Sequence, residues 1–184
     1  MTTEKVILVD EQNRAVGTAE KMSAHAEGRL HRAFSVFVFD GAGRLLLQRR
    51  ARTKYHSGGL WSNTACGHPR PLETTQEAAR RRLREEMGFD CELTEAFGFV
   101  YRAELDNDLV EHEYDHVFVG TFEGDPAPDA SEVEAWRRVS LEELRVELRE
   151  RPREFTYWLR EALGLTEWSL LESSLPRLPR ESAA

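Results

Sequence analysis

Apolar and polar positions along the chain follow two periods. Alternation at period two, or a short apolar run, marks strands at Lys5 to Val9, Ala33 to Phe39 and Arg44 to Gln48, the last two joined by the turn sequence DGAG. Further strands are predicted at Phe97 to Ala103, Val110 to Thr121 and Ala135 to Val139. Helical signals fall between and after them. Thr74 opens a capping box with Glu77, and the helix it starts runs to Met87 and stops at Gly88, a residue suited to a left-handed exit. A second helix is expected from about Leu141 to Arg149. A third is expected from about Pro152 to Leu163, with proline in the first turn and Gly164 at the exit. Strands interspersed with a few helices predict an α/β layered fold with a mixed β-sheet flanked by helices. There is no internal repeat, and the end of the chain, SLPRLPRESAA from Ser174, has the prolines and small polar residues of a flexible tail.

A length of 184 residues accommodates one domain with a real core, so residues 1–184 are expected to form a single domain with its core at about 4–165. With 40% hydrophobic and 32% charged residues the composition is that of a soluble globular protein. A formal net charge of -8 argues against broad nucleic-acid binding, and a small anionic ligand would need a local basic pocket. The opening MTTEKVILVDEQ lacks the features of a secretory signal and no apolar run approaches a membrane span, so a cytoplasmic protein without membrane attachment is expected. Its two cysteines, Cys66 and Cys91, are then free thiols, each needing its own explanation.

Chemistry concentrates around NTACGHPRPLE, Asn63 to Glu73. From Gly67 the sequence GHPRPLETTQEAARRRLREEMGF matches the spacing G-x5-E-x7-R-E-U-x-E-E-x-G-U, U being a bulky apolar residue, at Gly67, Glu73, Arg81, Leu83, Glu85, Glu86, Gly88 and Phe89. This resembles the Nudix box, with one departure: Arg82 stands where the family has its first core glutamate. Glu85 and Glu86 lie in the last turn of their helix, where the macrodipole disfavours negative charge, and a nearby Mg²⁺ would reverse that sign. The plainer reading is a solvated charged face neutralised by Arg81, Arg82 and Arg84. Losing a carboxylate to arginine weakens a several-metal hydrolytic site and offers a group that can hold a diphosphate instead.

A second cluster is VEHEYDHVF. Period-two geometry puts Glu111 and Glu113 on one face and His112, Tyr114 and His116 on the other. Taken alone this is more simply a charged sheet face. Together with His25, His31 and His68 it becomes a set of three imidazoles and two carboxylates, which suits Mn²⁺ or Zn²⁺ better than Mg²⁺ alone.

As a whole, Cys66 in NTACGHP, His25 and His31, the Glu111 and Glu113 pair, RRARTK from Arg49 and Trp158 in FTYW are similar to the type 1 isopentenyl diphosphate isomerases, over roughly residues 4 to 165. The resemblance implies a Nudix-like fold and conversion of isopentenyl diphosphate to dimethylallyl diphosphate. It also implies a Mn²⁺ or Zn²⁺ ion on His25, His31, His68, Glu111 and Glu113, and a separate Mg²⁺ held by Glu86 on the diphosphate. Cys66 and Glu113 would be the acid/base pair, with Tyr101 supporting Glu113. Lys21, Arg50, Lys54 and Arg82 would bind the diphosphate, and Trp158 would lie over the hydrocarbon. Cys91 has no counterpart role and reads as a packing residue. Which of Cys66 and Glu113 donates first stays open, with protonation assigned by preference to Glu113 and Tyr101. Gly67 is expected to let backbone approach the ligand. The partner is a small-molecule diphosphate and the expected assembly a monomer or weak homodimer. Two other readings stay open: a Nudix hydrolase of a nucleoside diphosphate compound, and a non-catalytic diphosphate-binding module, which would have no use for Cys66.

Overall fold

The structure, a computed structural model, describes residues 4–174. The expected flexible tail therefore lies outside the described residues, apart from Ser174, which ends the last helix. In chain order the elements are β1 (Lys5–Val9), β2 (Ala15–Glu20), α1 (Lys21–Glu27), β3 (His31–Phe39), β4 (Leu45–Arg50), β5 (Trp61–Ser62), β6 (Ala65–Gly67), α2 (Thr75–Met87), β7 (Leu93–Glu104), β8 (Val110–Thr121), β9 (Val133–Val139), α3 (Leu141–Glu150), α4 (Tyr157–Gly164) and α5 (Thr166–Ser174).

The strands form one mixed sheet centred on β3. β3 pairs antiparallel with β1, β4 and β6, and parallel with β8 along its whole length, from His31 opposite Glu113 to Phe39 opposite Thr121. β8 pairs in turn with β7, placing Tyr101 opposite Glu113. β3 is apolar on both faces because both are covered, as expected of a central strand. Phe34, Val36 and Val38 pack under α2 with Ala78, Ala79, Leu83 and Met87. Phe37 and Phe39 pack on the opposite side with Leu144 of α3, Leu159 of α4 and Trp168 of α5. Burial of each such side chain contributes about 1.5–3 kcal/mol. Trp168 is fully buried, 4.6 Å from Phe37 between ring centroids, so the packed core extends past residue 165.

The capping box of α2 is present: Thr74 Oγ1 accepts from the Glu77 backbone N–H, while Glu77 accepts from that of Thr74. Gly88 is left-handed at φ 73°, and a Cβ there would lie 2.1 Å from the Ala127 carbonyl oxygen, so only glycine fits.

The third predicted helix is broken. Pro152–Glu154 makes a single 3₁₀ turn, Phe155 is extended and bridges Trp61, and the Thr156 N–H donates to the Trp61 carbonyl before α4 begins at Tyr157. Burial of Phe155 against the sheet outweighs the helical pattern. Gly164 is the last residue of α4 rather than a left-handed exit; the cap is Leu165, in extended conformation. Strands β2, β5 and β6 and helices α1 and α5 add to the predicted elements, and β3, β4, β7 and β9 exceed their predicted limits by two to four residues at an end.

Candidate active site

The parallel register of β3 and β8 brings His31 beside Glu113, and period two places Glu111 on the same face. α1 delivers His25 to that face, and the extended segment after β6 delivers His68. The ligand atoms of His25, His31, His68, Glu111 and Glu113 all lie within 4.8 Å of one another, and all five residues are buried. His68 Nε2 is 2.8 Å from Glu113 Oε1 and 3.2 Å from His31 Nε2.

Two of the imidazoles have their tautomers set by the backbone. His25 Nδ1 donates to the Lys21 carbonyl (2.7 Å) and His31 Nδ1 to the Arg29 carbonyl (2.8 Å). A carbonyl only accepts, so Nδ1 carries a proton and Nε2 is the atom turned to the cluster. Burial pushes His68 down to about 4, the Glu113 carboxylate beside it offsetting only part of that shift, so His68 is a neutral imidazole; at His25 burial is outweighed by the Glu111 carboxylate, which raises it. Burial opposes ionisation of Glu111, yet His25 and His56 beside it hold it well below the usual carboxylate range. His25 Nε2 and Glu111 Oε2 are both buried without a hydrogen-bond partner, 3.3 Å apart. Two buried carboxylates and three inward-facing imidazole nitrogens make a donor set that fits a divalent cation at their centre.

His68, Glu111 and Glu113 of the cluster line one wall of a cavity of about 370 Å³. Lys21, Arg50, Lys54 and Arg82 all border it, as do Cys66, Tyr101 and Trp158. The Tyr101 hydroxyl donates to Glu113 Oε2 at 2.6 Å. Cys66, paired with Ser35 through the β3–β6 register, has its Sγ 3.7 Å from Arg50 Nη1. Trp158 is fixed by its indole N–H, which donates to Ser62 Oγ (3.1 Å) and Asn63 Oδ1 (3.0 Å), and the Arg50 guanidinium lies 5.2 Å from its ring centroid.

The basic groups are partly neutralised from within. Lys21 pairs with Glu4 at 3.0 Å, and Lys54 with Glu132. Arg82 bonds Glu85 (2.9 Å), Glu86 and Glu132 (3.2 Å), while Gln48 Nε2 donates to the other oxygen of the buried Glu86. Arginine in place of the consensus glutamate thus neutralises the two that remain. Arg81 bonds Glu73 and Glu85 in the same way. Gly67 borders the cavity, and a Cβ there would sit 3.3 Å from Arg82 Cγ and Phe34 Cζ, so the missing side chain also makes room for these neighbours.

Burial also bears on the reactivity of Cys66, although the residue keeps part of its surface. Its thiol is pushed up to about 12, with Arg50 only partly opposing the shift. The expected result is slow alkylation at neutral pH, with a rate that keeps rising about tenfold per pH unit past the ordinary thiol value of about 8.5. A plateau near pH 8.5 in a pH series of iodoacetamide kinetics would rule out the desolvated thiol. Cys91 packs against the core beneath α2 and is pushed up to about 11 by burial.

Several wall residues escaped the sequence reading, Tyr55 and Glu132 among them, and His56 is the one that touches the cluster through a carboxylate. His56 is buried, with Nε2 3.0 Å from Glu111 Oε1 and its ring edge-on to Trp158 at 5.8 Å. It sits in an irregular loop without periodicity. Its only sequence signal was to be the one histidine of six left without a place.

The fold and the box on α2 define the class, and the NUDIX domain family model matches residues 29–159. Solved structures agree on the fold alone: a Deinococcus radiodurans protein is 20% identical with a TM-score of 0.68 (80% of this chain, 90% of that one), and a MutT protein from Methanosarcina mazei Go1 is 18% identical with a TM-score of 0.62 (78% and 94%). Closer relatives narrow the class. Isopentenyl-diphosphate Delta-isomerase 1 of Aromatoleum aromaticum is 59% identical over 156 residues, covering 85% of this chain and 88% of its own. The isopentenyl-diphosphate Delta-isomerase of Burkholderia multivorans is 59% identical over 155 residues (84% and 88%), and that of Serratia proteamaculans 47% over 177 (93% and 99%). The chain belongs to the isopentenyl-diphosphate Delta-isomerase family, within the NUDIX superfamily.

Proposed function

We propose that this chain interconverts isopentenyl diphosphate and dimethylallyl diphosphate, in a single domain and in the cytoplasm. The observation that carries the reading is one cavity bordered by a thiol, a carboxylate backed by a tyrosine, an indole and four cationic side chains. Moving the double bond adds a proton at the terminal carbon, leaves a cation at the tertiary carbon, and removes a proton from the carbon beyond it. Glu113 and Cys66 are the two proton-transfer groups, and because the reaction is reversible each works in both directions. The 2.6 Å contact from Tyr101 to Glu113 supports placing protonation on that side. Trp158 offers its π-face to the cation, which needs a site with no nucleophile nearby.

The five-residue cluster would hold Mn²⁺ or Zn²⁺, which would supply the counter-charge for Glu111 and Glu113 and fix the position of Glu113. Lys21, Arg50, Lys54 and Arg82 receive the diphosphate, and Glu86 would hold its Mg²⁺ in exchange for a contact with Arg82 or Gln48. The protein acts as a monomer or weak homodimer. Incubation with isopentenyl diphosphate and Mg²⁺ in D₂O, followed by NMR, tests the reading: deuterated dimethylallyl diphosphate is expected. Release of phosphate without it would mean hydrolysis, and unchanged substrate would mean binding alone.

The phosphate end has its own test. Arg82→Glu restores the Nudix consensus but sets a further carboxylate beside Glu85, Glu86 and Glu132. Loss of a charge-assisted bond of about 1.5–3 kcal/mol should raise KM for isopentenyl diphosphate roughly 10- to 100-fold. An unchanged KM in steady-state kinetics would take Arg82 out of diphosphate binding.

A further inference from the structure

His56 lies outside the five-residue cluster but touches it. It is 4% exposed, on the segment that also carries Lys54 and Tyr55, and its carbonyl accepts from Arg50 Nη2 at 3.3 Å. Its Nε2 is 3.0 Å from Glu111 Oε1, and its Nδ1 is 3.2 Å from Ser57 Oγ. Glu111 therefore has two unlike oxygens. Oε1 is engaged by His56, whereas Oε2 is buried without a hydrogen-bond partner and faces His25 Nε2 at 3.3 Å. A carboxylate free to rotate would present either oxygen to a cation, or both. One held by a ring that is itself buried among Tyr55 (4.3 Å), Trp158 (5.8 Å) and His25 (6.1 Å) presents only one.

We infer that His56 is a positioning residue for the metal centre: by holding Glu111 Oε1 it aims Oε2 at the three-imidazole cluster. The inference rests on the metal reading proposed above. Outer partners of this kind change metal affinity by about 10- to 100-fold when removed. His56 also bridges the cluster and the Trp158 ring, so its loss disturbs the metal end and leaves the diphosphate end in place.

The test compares full-length wild type, His56→Leu, His56→Gln and His25→Ala for Zn²⁺ affinity by chelator competition, and for the visible spectrum of the Co²⁺-loaded forms. His56→Leu is expected to bind Zn²⁺ about 10- to 100-fold more weakly. Its Co²⁺ spectrum should shift and its kcat fall, while KM for isopentenyl diphosphate holds. His56→Gln, which keeps an N–H donor at similar reach, should recover most of the affinity. Melting temperatures of the metal-free proteins check folding, and if His56→Leu fails to fold, His56→Ala with and without added imidazole reads the same effect. Wild-type affinity and spectrum in His56→Leu, with metal lost in His25→Ala, would overturn the role of His56 alone, as would equal losses in His56→Leu and His56→Gln. A wild-type protein that takes up neither Zn²⁺ nor Co²⁺ would overturn the metal reading itself.

Discussion

Serine in place of Cys66 is expected to leave diphosphate binding intact and to lower turnover by three or more orders of magnitude. The substitution keeps the shape and a proton but exchanges a thiol for a far less acidic hydroxyl, in a cavity where burial already pushes the thiol up to about 12. A loss of this size corresponds to about 4 kcal/mol of barrier at about 1.36 kcal/mol per tenfold. The diphosphate contacts proposed above lie on Lys21, Arg50, Lys54 and Arg82, and serine leaves all four in place, Arg50 beside residue 66 included, so the Kd of a non-reacting diphosphate analogue should stay near that of wild type. Cys91→Ser, in the packing beneath α2, should be nearly silent in the same assay. Near-normal turnover by Cys66→Ser, with deuterium still entering the product, would remove the thiol from the mechanism and leave Glu113 as the sole acid/base centre.

The second large effect is on the metal. His25→Ala and Glu111→Gln should each purify with far less than the roughly one transition or zinc ion per chain expected of wild type, and with activity reduced in proportion. Glu111→Gln keeps the size of the side chain while removing one of the cluster's two buried carboxylates, and His25→Ala removes an inward-facing imidazole nitrogen. Elemental analysis reads the first consequence and the isomerase assay the second. Full metal content and full activity in both variants would show that the cluster is not the metal site. Loss of activity with full metal content would separate a role in catalysis from one in ligation.

Local information was enough for elements whose residues cooperate with near neighbours. The capping box at Thr74 and Glu77, the stop at Gly88, and the period-two pairing of Glu111 with Glu113 are all set within a few residues of chain. These follow from backbone geometry that any fold would have to respect. The Nudix spacing on α2 is legible for the same reason.

Other features depended on partners distant in sequence. The helical pattern after Pro152 is sound locally, yet Phe155 leaves it to bridge Trp61, because burying an aromatic ring outweighs a few residues of helix propensity. His25 and His31 carried no metal signal singly. They became candidate ligands as members of a set with His68, Glu111 and Glu113 and through resemblance, and only the nine-residue parallel register of β3 with β8 puts His31 opposite Glu113. Parallel pairing has no short turn to announce it, so no local pattern encodes that register. His56 shows the same limit more sharply, since an irregular loop has no period and its contact with Glu111 exists only once the chain has closed. By itself, then, the sequence determined which helices and strands could form and which residue types were available for chemistry. Tertiary structure alone decided which of them meet around one buried centre: desolvation and close packing act between side chains far apart in the chain, and neither leaves a local trace.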